Sequence, residues 1–292
     1  MSINSKPKLI FACHPSLYSA EVLSKILHDD TVEILGVVES LAVKRRGSRW
    51  LSDVWSLIRG SGLRYAIYLF WITDFFECRA RMFGSESFYS LYKKYKLAVI
   101  KTDDVNSESS IRRVKQLACS SKDSEAYESV IYFVTVMFNQ KLSKDFLGLE
   151  CLQCINLHPG DLPEYRGVDP VLEALVNDEG KAVVSLHVTS EAIDQGDVLS
   201  QGEVKLDLAK SLVKNNRIVF EEGATVLIDW LKKNGCATLE SAQKVEQVGR
   251  RAYYGWPCVK KLDLFQNCFQ YFLLWKIRLP SESDWDSWVV VF

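Results

Sequence analysis

No stretch of this sequence holds the roughly 18 consecutive apolar residues that a membrane-spanning helix needs. The nearest run, Tyr65 to Phe76, is short and marked off by Arg64 and Asp74, so no transmembrane segment is expected. Neither sign of charge dominates. Thirty-six basic and 37 acidic side chains leave a formal net charge of −1, which removes any general pull toward nucleic acid or an anionic membrane. The opening residues, Met1 to Lys6, have neither the charge order nor the length of a signal peptide, so a cytoplasmic location is expected. No internal repeat or low-complexity tract is present. Cysteine is not scarce, but its eight positions are scattered through a long chain, which argues against a disulfide framework. Cys151 and Cys154 have zinc-like spacing without a second pair at a suitable distance, so packed thiols are expected and no metal site.

What is present is the balance of a globular protein, with 48% hydrophobic and 25% charged residues, so disorder is not expected. Lys8 to Cys13 is a compact apolar run that stops at His14-Pro15-Ser16, and Ala20, Val22, Leu23, Ile26 and Leu27 follow at helical spacing. Val32 to Val38 completes a β-α-β unit, whose strands must pair in parallel because the helix crosses over. From about Leu41 to Leu97, basic segments such as Lys44-Arg45-Arg46 alternate with aromatic ones. The pattern is helical, and Tyr68, Trp71 and Phe75 are spaced as a core stripe. Leu97 to Ile100 reads as a short strand, Asp104 to Cys119 as a helix, Ser129 to Val134 as a buried strand and Cys154 to Leu157 as another. Val183 to Val188 and Val198 to Leu206 form a strand pair, and Ser211 to Lys233 a long helix stopped at Gly235. The alternation predicts an α/β fold with a doubly wound, mostly parallel sheet. Residues 1–235 are expected to form that domain. Residues 236–292 carry Tyr253-Tyr254-Gly255-Trp256-Pro257, an aromatic helix-like stretch from Leu262 to Trp275 and an acidic end from Ser281 to Asp286, and are expected as a small docked C-terminal extension.

The densest chemistry lies in the twelve residues from Asn156 to Gly167, Asn-Leu-His-Pro-Gly-Asp-Leu-Pro-Glu-Tyr-Arg-Gly. Asn156 and His158 are two apart at a strand end, so both point to one side at the carboxyl edge where open α/β sheets bind ligands. Two prolines and two glycines then predict an irregular loop. The second piece is Glu191 to Val198, an acidic turn containing Asp194 and Gly196 that stops before a strand.

Together these segments resemble the formyltransferase family that uses 10-formyltetrahydrofolate, which includes glycinamide ribonucleotide transformylase, methionyl-tRNA formyltransferase and the sugar N-formyltransferases. The family pattern, Asn-x-His-Pro-x-x-Leu-Pro followed by Asp-x-Gly, stands here as Asn156, His158, Pro159, Leu162, Pro163, Asp194 and Gly196, and the interval between the two pieces also fits. Gly160 and Asp161 occupy positions where Ser and Leu are usual. A weaker likeness runs from residue 8 to about 235, where Ile10 to Pro15 is similar to the first strand and loop of the tRNA enzyme, although glycine usually stands at the place of Cys13. The resemblance implies a Rossmann-like core, N10-formyltetrahydrofolate as the formyl donor, and Asn156, His158 and Asp194 as the catalytic residues. The chemistry supports those roles independently. Attack of a neutral amine on a formyl carbon builds an oxyanion that needs aimed donors, and protons must leave the amine and reach the departing nitrogen. An amide, an imidazole and a carboxylate that charges and orients the imidazole meet those needs.

The resemblance also places the folate between Val136-Met137-Phe138-Asn139 with Leu142 and the segment Glu191-Ala192-Ile193, held mainly by main-chain groups. Tyr165 and Arg166 are expected either to orient substrate or to pin the loop. Asp169 stands where the tRNA enzyme tends to have a small residue; it either meets the acceptor amine or, more plainly, caps the helix before Pro170. His14 ends the first strand at a helix start, where an anion can bind, yet the glycine-rich loop with which glycinamide ribonucleotide transformylase holds its substrate phosphate is absent.

The expected acceptor is a small-molecule amine, foremost that of a nucleotide-linked amino sugar, ahead of methionyl-tRNA, glycinamide ribonucleotide or another metabolite. A nucleic-acid acceptor is disfavoured by the near-zero net charge and by a tail shorter than the barrel-like C-terminal domain of the tRNA enzymes. Tyr253, Tyr254 and Trp256 either stack on a nucleobase or, by default, pack on the main domain, and a homodimer is allowed. Two other classes compete. One is a formyltransferase-like binding protein without turnover, against which the intact trio argues. The other is a membrane-docked scaffold with Tyr65–Phe76 and Leu262–Trp275 as interfacial helices.

Overall fold

The computed structural model describes residues 6–41, 50–83, 86–119, 130–235, 238–247, 249 and 252–259. Lys44-Arg45-Arg46, the stretch Leu262–Trp275 and the acidic end Ser281–Asp286 lie outside the described residues.

The first strand, β1 (Lys8–Cys13), leads to α1 (Leu17–His28) and β2 (Glu33–Ser40), and β1 and β2 pair in parallel as expected. Ser16 caps α1 by accepting from the Ser19 N–H, and the Ser19 hydroxyl reciprocates at the cap backbone. The aromatic region is helical: α2 (Trp50–Phe70), broken at Gly62 (φ 82°), then a π-helical turn at Trp71–Phe75, α3 (Phe76–Phe83) and α4 (Phe88–Tyr95). Of the expected core stripe, Tyr68 is buried, whereas Trp71 and Phe75 stack on each other at 4.2 Å and stay partly exposed.

The chain continues through β3 (Val99–Thr102), α5 (Glu108–Cys119), β4 (Ile131–Val136), α6 (Lys144–Leu147), β5 (Gln153–His158), β6 (Arg166–Gly167), α7 (Pro170–Val176), β7 (Lys181–Val188), β8 (Val198–Lys205), α8 (Leu212–Asn234) and β9 (Tyr253–Tyr254). Helix α5 begins later than the expected Asp104. Asp104 to Ser107 form a turn in which the Asp104 carboxylate accepts from Asn106, and the Ser107 hydroxyl then takes the Ser110 N–H. Strand β4 runs two residues further along than expected, to Val136.

Seven strands form one sheet in the order β3-β2-β1-β4-β5-β7-β8. The first five are parallel, and β7 is antiparallel to both β5 and β8. The chain winds outward from β1 through β2 to β3, then returns to lay β4 against the other side of β1. The crevice between β1 and β4 is therefore the switch point at which such sheets take ligands. Alternation along each strand divides the core: Leu9, Phe11, Tyr132, Val134, Ile155 and Leu157 face the layer of α1 and α8, while Ile10, Ala12, Phe133 and Cys154 face the layer of α5 and α6.

The described part of the tail packs on this domain. Val245 donates to the Val198 carbonyl at 2.7 Å, Ala242 is buried, and β9 pairs in parallel with β6. Among the described residues no helix is long and apolar enough to cross a membrane.

Candidate active site

The register of the sheet sets the site. Thr135 on β4, Asn156 on β5 and His187 on β7 are direct cross-strand neighbours. The Thr135 hydroxyl donates to Asn156 Oδ1 at 2.9 Å, and Asn156 Nδ2 lies 2.9 Å from His187 Nε2. His187 Nδ1 is 2.9 Å from the Val188 carbonyl, which only accepts, so Nδ1 carries the proton and Nε2 accepts from the amide. The ring must be neutral to do so. Burial, and then the nearby His158, push its pKa down to about 4, against the pull of Asp194. The amide of Asn156 is thereby locked with its oxygen toward β4 and one N–H toward β7. Its second N–H has no partner among the described residues and is available to an incoming oxygen.

His158 lies two residues on, at the end of β5, and is 5% exposed. Its Nε2 sits 2.7 Å from the Tyr165 carbonyl and therefore donates, which leaves Nδ1 as the nitrogen able to exchange a proton. Asp194 faces that nitrogen: its Oδ1 is 3.8 Å from His158 Nδ1 and 3.7 Å from His187 Nε2, and its side chain is 10% exposed. Its other oxygen accepts from the Gly167 N–H at 2.9 Å. The amide and imidazole carried by β5 and the carboxylate of the distant Asp194 thus meet around one point.

Two glycines make this approach possible. Gly167 has φ 104°, and a side chain there would run into the Tyr254 carbonyl; at Gly196 a side chain would overlap the backbone of Val188. The loop between His158 and α7, with a cis Leu162–Pro163 bond, is tied down by Ser185 of β7. The Ser185 hydroxyl donates to the Gly160 carbonyl at 2.7 Å and accepts from the Leu162 N–H at 3.3 Å and from Gln201 Nε2 at 3.1 Å. Asp161 accepts from the same Gln201 side chain, and burial raises its pKa.

The expected folate segments flank the trio. Val136 ends β4 beside Leu157, Met137 takes a left-handed backbone (φ 50°) and accepts from the His14 N–H, Phe138 packs edge-on against Phe133, Asn139 accepts from the Ser40 hydroxyl, and Leu142 is buried. On the other side, Glu191, Ala192 and Ile193 are exposed on the loop leaving β7, immediately before Asp194. Among the described residues the buried Thr189 hydroxyl, on that same loop, has no hydrogen-bond partner. An orphaned buried donor on the same loop as the exposed Ile193 fits a polar ring system lying against this loop.

The remaining candidates are distributed differently. The His14 ring donates from Nδ1 to the Ser40 carbonyl at the end of β2, while its main-chain N–H donates to the Met137 carbonyl just after β4. Tyr165 and Arg166 pin the loop. The Tyr165 ring stacks on Tyr254 (5.5 Å, 14°), its hydroxyl donates to Glu179 and accepts from Asn177, and Arg166 Nε donates to the Ala252 carbonyl at 3.2 Å. Asp169 takes the N-cap position of α7 before Pro170, as expected, but its backbone is left-handed (φ 51°) and, in place of a side-chain cap bond, its carboxylate turns inward to the Tyr65 hydroxyl at 3.0 Å. Cys154 is a packed thiol, pushed up to about 12 by burial and then by Cys151. His187, Thr135 and Ser185 are not singled out by the sequence reading. The available signal is a histidine and a serine inside a run, Val183 to Val188, that is otherwise apolar.

Fold and geometry define a class: a doubly wound α/β domain with an asparagine, a histidine and an aspartate gathered at the end of a central strand. Residues 93–231 match the family model described as formyl transferase. The methionyl-tRNA formyltransferase of Halothermothrix orenii is 34% identical over 114 residues, 39% of this chain and 33% of that protein. That of Pseudothermotoga lettingae is 33% identical over 132 residues, 45% of this chain and 42% of that protein. The chain thus spans about a third to two fifths of the length of these curated relatives. Among solved structures, the phosphoribosylglycinamide formyltransferase of Brucella melitensis superposes with a TM-score of 0.51 at 14% identity, covering 84% of this chain and 100% of that one. WlaRD, a sugar 3N-formyl transferase solved in the presence of dTDP and 5-N-formyl-THF, gives 0.50 at 15% identity, covering 86% and 70%. At these identities the structural likeness is one of fold.

Proposed function

We propose that this protein transfers the formyl group of 10-formyltetrahydrofolate to a primary amine, the acceptor being the amino group of a nucleotide-linked sugar. The observation that carries the reading is the convergence of Asn156, His158 and Asp194, with His158 Nδ1 3.8 Å from Asp194 Oδ1 and an amide proton of Asn156 left free. The main chain of Val136 to Asn139 with Leu142, the segment Glu191 to Ile193 and the hydroxyl of Thr189 would hold the folate, which supplies the formyl group as an activated amide when bound. His158 Nδ1 takes the proton that the attacking amine must lose and returns it toward the departing nitrogen. The Asp194 carboxylate stabilises the imidazolium formed in between. The free N–H of Asn156, held rigid by Thr135 and His187, donates to the formyl oxygen as it gains charge.

For the acceptor, the near-zero net charge favours a small molecule over a polyanion. Tyr253 of β9, 54% accessible, pairs with Arg166, and Trp256, 59% accessible, follows two residues beyond that strand, so stacking faces and a guanidinium are brought to one rim. The curated relatives favour a second reading, methionyl-tRNA. We take the enzyme to work in the cytoplasm, with a homodimer allowed.

The test is the absorbance change on release of tetrahydrofolate, measured with 10-formyltetrahydrofolate and a panel of amino-sugar nucleotides, glycinamide ribonucleotide and methionyl-tRNA. An amino-sugar nucleotide should give the highest kcat/KM. His158→Ala and Asp194→Ala should each lower turnover by about 10²–10⁴-fold with the fold retained, and near-wild-type turnover in either variant refutes the assigned roles.

A further inference from the structure

Asp169 is a partly buried carboxylate that the proposed chemistry leaves unused. It follows Gly167 by two residues, and both are left-handed, at φ 51° and 104°. A non-glycine residue in that region is strained and persists only where its surroundings hold it there. What holds it comes from distant elements. Tyr65 of α2 donates to Asp169 Oδ2 at 3.0 Å, and Asn216 of α8 lies close enough to favour the charged carboxylate. Asn216 donates to the Tyr68 hydroxyl at 3.3 Å, and Tyr68 lies 3.1 Å from the hydroxyl of Tyr18 on α1. Tyr18 is itself stacked on Phe220 of α8 (5.1 Å, 6°). Three helices therefore converge through a chain of buried hydroxyl and amide groups on one carboxylate. The loop it anchors presents the Gly167 N–H to Asp194 at 2.9 Å.

We propose that Asp169 and Tyr65 are positioning residues: their contact latches α2 to the 166–169 loop and so keeps the Gly167 N–H on Asp194, which sets the carboxylate against His158. The kinetic consequence rests on the formyl-transfer reading, whereas the mechanical part does not. Neither residue touches the reacting atoms. Without the latch the strained backbone relaxes, and the carboxylate loses the bond that fixes its rotation.

The experiment compares wild type, Tyr65→Phe, Asp169→Ala and Asp169→Asn as full-length chains, by amide hydrogen exchange and by steady-state kinetics. Loss of one hydrogen bond to a charged group should raise exchange across residues 165–169 by about tenfold or more in Tyr65→Phe and Asp169→Ala, with β1 and β4 unchanged. Asparagine tolerates the left-handed backbone and keeps an acceptor for Tyr65, so Asp169→Asn should stay within about twofold of wild type. The loosened variants should lose about 10–100-fold in kcat with KM for the folate little changed, as expected for a misplaced but intact group. Wild-type exchange at 165–169 in both loosened variants overturns the latch. So does a rise spread evenly over the sheet, which would mark ordinary core packing, or wild-type kcat in a variant whose loop has loosened. If the wild-type protein turns over no amine, the formyl-transfer reading fails, and the exchange data still decide whether the latch exists.

Discussion

Asn156 owes its orientation to a histidine that must stay uncharged. His187 is buried between Asn156 and Asp194, and its depressed pKa of about 4 keeps Nε2 an acceptor across the physiological range. Asp169 illustrates the opposite shift. Burial raises its carboxyl from 3.8 to about 6, and Glu173 adds to the rise, against the hydrogen bond from Tyr65 and the nearby amide of Asn216. The sign of the linkage follows. Between about pH 4 and 6 the folded protein holds this proton more tightly than the unfolded chain, so ionisation costs stability as pH rises through that window. Asp169→Asn removes the cost. Its melting temperature relative to wild type should therefore increase from pH 4.5 to pH 7 in parallel thermal scans, and a difference that stays flat with pH would contradict the burial assigned to this carboxylate.

The element that organises the site is β7. It sits antiparallel between β5 and β8 and offers His187 to Asn156 and Ser185 to the loop after His158. Ser185 is fully buried, and its one hydroxyl serves Gly160, Leu162 and Gln201. Truncation leaves a buried carbonyl and a buried N–H unmatched. Ser185→Ala should therefore destabilise by about 1–3 kcal/mol, read as a lowered denaturation midpoint at unchanged slope. Substrate affinity should also weaken, because the loop that carries the Tyr165 carbonyl and Gly167 is no longer pinned. A midpoint equal to wild type would mean that the loop is held elsewhere. The strand pair itself is legible in the alternation from Val183 to Leu206, but the sequence does not reveal that β7 enters beside β5 with His187 opposite Asn156. Register between strands far apart in the chain is set by packing against α8, not by local propensity.

On the scale of the whole molecule, a net charge of −1 bears on the choice of acceptor. An enzyme that neutralises many phosphates loses affinity steeply as salt displaces it. With an amino-sugar nucleotide, kcat/KM should change by less than about tenfold between 50 and 200 mM salt, whereas a nucleic-acid acceptor would lose about 10³-fold or more. A steep loss would transfer the proposal to methionyl-tRNA. The alternation of apolar strands and amphipathic helices determined the doubly wound sheet, and the run from Asn156 to Gly167 with Asp194 determined the candidate chemistry, since period and residue type are local properties of a chain. Tertiary structure alone decided the neutrality of His187, the inward turn of Asp169 and the anchoring of the loop by Ser185, Tyr65 and β9. Each depends on groups separated by many residues, and on a desolvation that exists only once the helices have closed over the sheet.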